Sequence, residues 1–100
     1  MNYFISYTTR DKMITLNFLK SIYDVFSSYG NVYIDLLHND SINKQERVLK
    51  ELEKCDEVIL IETENILKSD WVKVEIKKAK ELNKTIRKLT YSELIKKINE

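Results

Sequence analysis

The chain has 100 residues, 43% hydrophobic and 33% charged, with a formal net charge of +1. That length makes one domain over residues 1–100 with a single modest core, and the near-neutral balance excludes a general electrostatic pull toward nucleic acid or an anionic membrane. One cysteine, Cys55, excludes an intramolecular disulfide. The polar, strand-like start resembles neither a signal peptide nor a membrane span, so a cytoplasmic location is expected.

Taken in order, Tyr3 to Tyr7 is aromatic and β-branched and reads as a strand. Thr8-Thr9-Arg10-Asp11 is a polar break in which Thr9 or Asp11 is placed to cap the next helix. Ile14, Phe18, Ile22, Val25, Phe26 and Tyr29 keep the spacing of an amphipathic helix, and Gly30 is expected to end it in the left-handed conformation. Val32 to Leu36 is a second strand with Asp35 near its end, followed by a loop at His38-Asn39-Asp40-Ser41. Val48, Leu49 and Leu52 mark a helix from about Asn43 to Lys54. Glu57-Val58-Ile59-Leu60-Ile61 is the most apolar run, and its lack of alternation predicts a strand covered on both faces. Cys55, just before it, reads as a buried thiol. Thr63 to Lys68 is a loop, Thr85 to Leu89 a fourth strand, and Ser92 to Asn99 a last helix.

The segment Ser69-Asp70-Trp71-Val72-Lys73-Val74-Glu75-Ile76 carries the strongest signal. Ser69 is a natural N-cap, and Asp70 suits the positive end of the helix dipole. With Trp71 at zero and about 100° per residue, Leu82 falls at about 20°, Glu75 at about 40°, Ala79 at about 80° and Val72 at about 100°. Lys73, Lys77, Lys80 and Lys84 fall on the opposite side. Glu75 therefore lies inside the apolar arc, where an acid must be paired, neutral or used.

Alternating strands and helices predict an α/β fold, a flavodoxin-like three-layer sandwich with a small four-stranded parallel sheet in the order 2-1-3-4. Ligands in such sheets bind at the carboxyl ends of the strands, beside the switch point between strands one and three. Those ends are Ser6 to Arg10, Asp35 to Asn39, and Thr63 to Ser69. Periodicity and topology thus direct Glu75 toward the same crevice.

Phe4-Ile5-Ser6-Tyr7, Tyr33-Ile34-Asp35, the run from Leu52 to Ile61, and Ser69-Asp70-Trp71-x-x-x-Glu75-Ile76 together resemble TIR domains over roughly residues 3 to 86. In members that cleave NAD, the glutamate four residues after the tryptophan is catalytic, which the resemblance assigns to Glu75. It also nominates Tyr7, Thr8 and Arg10 as substrate-binding, with Ser6 and Asp35 as structural residues near the site. It implies NAD as a substrate rather than a resident cofactor, release of nicotinamide by hydrolysis or cyclisation, and self-association through TIR–TIR contacts. Small TIR-like proteins in microbes resemble components of antiphage or toxin-like signalling systems, so the resemblance implies such a setting. The loop from Leu37 to Ile42 lacks the usual Pro-Gly, and four strands replace the usual five.

Nicotinamide in NAD is cationic and departs neutral, so a single carboxylate suffices to stabilise the oxocarbenium-like transition state. Against that role stands a Glu75 paired with Lys78. Trp71 either stacks on a substrate ring or packs in the core against the last strand, and Arg10 either contacts a phosphate or is solvated. Asp35 is placed to hydrogen-bond the adjoining loop. His38 has no partners at metal spacing, Ser6 has no histidine partner, and Gly30 alone makes no phosphate loop. Two other functions compete with NAD cleavage: a non-catalytic TIR-type interaction module, and a nucleoside deoxyribosyltransferase-like enzyme.

Overall fold

A computed structural model describes residues 1–100. Its elements are β1 (Asn2–Ser6), α1 (Leu16–Ser27), β2 (Asn31–Ile34), α2 (Asp35–His38), α3 (Lys44–Lys54), β3 (Glu57–Glu62), a 3-10 turn (Ile66–Lys68), α4 (Asp70–Glu81), β4 (Thr85–Thr90) and α5 (Tyr91–Ile98). The four strands form one parallel sheet in the order β2-β1-β3-β4. The chain is a flavodoxin-like α/β domain, as the alternation of elements predicts. No helix is long and apolar enough to cross a membrane.

Strand periodicity sends alternate side chains to opposite faces. Tyr3, Ile5, Ile34, Ile59, Ile61 and Leu89 meet Phe18, Leu19, Ile22 and Phe26 of α1 and Leu94 of α5 in the larger core cluster. Phe4, Tyr33 and Val58 meet Val48 and Leu52 of α3, Cys55, and Ala79 of α4 on the other face. Each fully buried aliphatic or aromatic side chain contributes about 1.5–3 kcal/mol. All four residues Val58 to Ile61 are buried, which accounts for the unbroken apolar run. Cys55 is buried, and its thiol donates to Leu52 O at 3.1 Å.

Local chemistry corrects several expected boundaries. Thr15, rather than Thr9 or Asp11, caps α1 by accepting from Phe18 N–H at 3.1 Å. Gly30 has no positive φ. Its lack of a side chain is needed because a Cβ there would collide with the Met1 carbonyl, which also accepts from Asn31 N–H at 2.9 Å. The left-handed residue is Asn83 instead, with φ 57°. It ends α4 in a Schellman arrangement, with Asn83 N–H donating to Lys80 O at 3.1 Å and Lys84 N–H to Ala79 O at 2.9 Å. The second strand stops at Ile34, and Asp35 opens the helical turn α2 rather than continuing the strand. The last helix starts at Tyr91, one residue early, because Thr90 and Glu93 form a reciprocal capping box.

Candidate active site

The carboxyl end of β1 lies between those of β2 and β3, where the chain's connections diverge to opposite sides of the sheet. Ser69 caps α4 there, accepting from Val72 N–H at 3.3 Å, and so fixes where the helix begins. One turn in, Glu75 points back at β1. It is only 6% exposed, and Ser6 Oγ, fully buried, donates to its Oε1 at 2.8 Å. Oε2 has no protein partner. Burial pushes the Glu75 pKa up to about 7; the Ser6 hydrogen bond opposes this, and the nearby Asp35 charge adds to it. Lys78, the alternative partner, makes no ion pair with it, as the salt bridges of this chain lie elsewhere.

Glu75 opens into a cavity of about 240 Å³ whose wall includes Tyr7, Thr8, Asp35, Leu36 and Trp71. Trp71 is half-buried and packs on the cluster formed by the central strands and α3, not simply on the last strand, while also reaching the cavity. Thr8 is buried, and its hydroxyl accepts from Arg10 N–H at 3.2 Å. Arg10 itself is exposed, and its side chain is not part of the wall. No lysine, arginine or histidine contributes to that wall.

The second carboxylate comes from the helical turn. Asp35 Oδ1 accepts from Tyr33 OH at 3.0 Å and from Asn39 Nδ2 at 2.7 Å, tying the loop after α2 to the crevice. Leu36 N–H donates to Tyr7 OH at 2.9 Å and locks the two walls together. The Tyr7 pKa is pushed up to about 12, chiefly by burial, with Asp35 and Glu75 adding to it. Tyr7 is therefore a neutral hydroxyl at physiological pH, with its own proton free to donate.

Sequence reasoning missed the residues that brace this crevice. Asp11 accepts from Asn65 N–H at 3.2 Å and from Asn65 Nδ2 at 2.7 Å, clamping the loop after β1 to the loop after β3. The Thr63 hydroxyl is buried without a well-aligned hydrogen bond of its own, and it lies beside the same carboxylate. Thr63 first, and then the Asn65 donors, hold the Asp11 pKa below its ordinary 3.8. His38 closes the outer edge of β2 by accepting from Ile34 N–H at Nδ1, 3.0 Å away. The only signal for these partners was their placement at strand ends, since 54 residues separate Asp11 from Asn65.

Two larger cavities, of about 630 and 650 Å³, lie along the free edges at β2 and β4. The first is lined by the ion-paired Arg47 and Glu51, the second by Leu60, Ile66 and Ile86, and neither reaches Glu75. No group of three or more His, Cys, Asp or Glu side chains is arranged to hold a metal ion.

Fold and site together define a parallel α/β domain with a buried, hydrogen-bonded carboxylate at the switch point of its sheet. No protein-family model matches the chain, and no curated protein matches it.

Proposed function

We propose that this chain is a TIR-like NAD-cleaving enzyme, breaking the N-ribosyl bond of NAD and releasing nicotinamide, with Glu75 as the catalytic residue. The observation that carries this reading is a carboxylate 6% exposed, held at one oxygen by Ser6 and open to a cavity at its other oxygen. Burying an acid is costly unless it is compensated, and one hydroxyl compensates one oxygen only. Ionised Glu75 binds ribose hydroxyls through Oε2 and stabilises positive charge developing at the anomeric carbon. Trp71 and Tyr7 offer aromatic surface to the pyridinium ring, and a wall without cationic side chains favours binding of that cationic ring before it departs neutral. Incubation of the concentrated protein with NAD, followed by chromatography, tests the reading. Nicotinamide release that is lost in Glu75→Gln supports it, and no release from folded protein removes it.

The alternative of a TIR-type interaction module draws on a different observation. Ile42 is fully exposed and Leu36 is 54% exposed, two apolar side chains on the segment that follows β2. In that reading, self-association is the function. Sedimentation of the parent and of Ile42→Ser, beside the NAD assay, separates the two: concentration-dependent assembly without nicotinamide release favours the module.

A further inference from the structure

The cavity holds two carboxylates, and their surroundings differ. Glu75 is buried and accepts from one donor, Ser6, whereas Asp35 is half-buried and accepts from both Tyr33 and Asn39. The titratable groups facing Glu75 are Tyr7 from the end of β1 and Asp35 from α2, with Trp71 and Ser69 on its own helix side and no cation among them. Two acids in unlike settings at one cavity are the arrangement that lets one act as proton donor while the other stays charged. The dimensions point the same way. About 240 Å³ lies below the roughly 300 Å³ at which drug-sized ligand pockets begin. One ribose and one base fit this scale, and no lysine or arginine stands ready for a diphosphate.

We propose that the same pocket hydrolyses neutral, unphosphorylated purine nucleosides, with Glu75 donating a proton to the departing base and the Asp35 side chain facing the ribosyl cation. This extends, and rests on, the reading of the pocket as a site for N-ribosyl cleavage. A neutral purine is a poor leaving group unless a proton reaches it, unlike the cationic nicotinamide of NAD. Glu75 gives its proton to N7 of the base. The C1′–N9 bond breaks, and its electron pair leaves with the base. Water adds to C1′, and its proton returns to the Glu75 carboxylate, so that nucleoside and water become ribose and free base.

One residue then serves two substrates in opposite protonation states. With a Glu75 pKa near 7, nucleoside hydrolysis falls about tenfold per pH unit above that value, whereas NAD cleavage falls about tenfold per unit below it. The experiment measures hypoxanthine from inosine and nicotinamide from NAD between pH 5 and 9, with Glu75→Gln as the blank and Asp35→Asn as a second variant. Hypoxanthine release that is lost in the blank, declines at alkaline pH, and drops at least about a hundredfold in Asp35→Asn is the expected result. Inosine untouched at pH 6, or inosine and NAD profiles that run parallel, overturns the proposal. Nicotinamide without hypoxanthine overturns this inference and leaves the NAD reading standing. Hypoxanthine without nicotinamide supports the inference and removes the NAD reading, and the parent's pH profile is decisive if Asp35→Asn fails to fold.

Discussion

Glu75→Gln isolates what the buried carboxylate costs the fold. The folded chain keeps the Glu75 proton up to about pH 7, whereas the unfolded chain releases it at the ordinary 4.5. Between those values the folded state holds one proton more than the unfolded state. Stability therefore falls as pH rises through the window and levels off above it; below it the group adds no pH dependence. Each pH unit is worth about 1.4 kcal/mol, so the parent loses on the order of 3 kcal/mol across the window. Gln has no proton to release, fills the same space, and keeps an acceptor for Ser6 Oγ. Allowing for burial of an amide, the variant is expected to exceed the parent by about 2 kcal/mol at pH 8, or roughly 8–16 °C in Tm for a domain of this size. Urea unfolding of both proteins followed by far-UV circular dichroism, at pH 5, 6, 7 and 8, measures the difference. Titrating groups that do not interact with Glu75 are common to both chains and cancel. Parallel stability curves, or a variant less stable than the parent at pH 8, would refute the account of Glu75 as a desolvated acid.

The same substitution is expected to lower nicotinamide release from NAD at least about a hundredfold, the scale of one lost electrostatic stabiliser, at matched concentrations of folded protein. Gly30→Ala forces the chain away from the Met1 carbonyl and should cost about 1–3 kcal/mol in urea unfolding; an unchanged midpoint would mean that the β1 start moves freely. Asp11→Ala releases both Asn65 donors and should speed hydrogen exchange at the Asn65 amide while leaving β3 amides protected. Cys55 should resist thiol reagents in the native protein and react at once in urea, because burial pushes its pKa up and hides its sulfur.

How much of this was legible in the sequence follows from the range of each interaction. Strand and helix periods are local, so the alternation of elements could be read directly, as could the burial of Val58 to Ile61, and the sheet order was expected from the arrangement that small open sheets with this alternation most often adopt. Glu75 was visible for the same reason: a helical angle depends only on neighbours a few residues away. Caps and turns were read less well, because several residues compete for each one. Thr15 won over Thr9 and Asp11 at the start of α1, and Asn83, not Gly30, took the left-handed position. Gly30 was singled out correctly as a special residue but for the wrong reason. Its constraint is the approach of Met1, a tertiary contact that no local rule contains.

The brace residues were hidden because they join loops that only the topology brings together. Asp11 and Asn65 link the segments after β1 and β3, Tyr7 and Leu36 those after β1 and β2, and Ser6 and Glu75 the end of β1 to α4. The last pair was nonetheless within reach. Once the order 2-1-3-4 is granted, the carboxyl end of β1 must face the start of α4. Ser6 stands in register with Leu60 of β3, the strand that leads into that helix. A buried acid needs a donor, and Ser6 is the hydroxyl-bearing residue that ends β1, so the hydrogen bond agrees with the topology and with the cost of an unpartnered carboxylate. Asp35 was placed at this crevice by its position at the end of the second strand; what the pattern did not supply is the helical turn that begins at that residue and the cavity wall that Asp35 shares with Glu75.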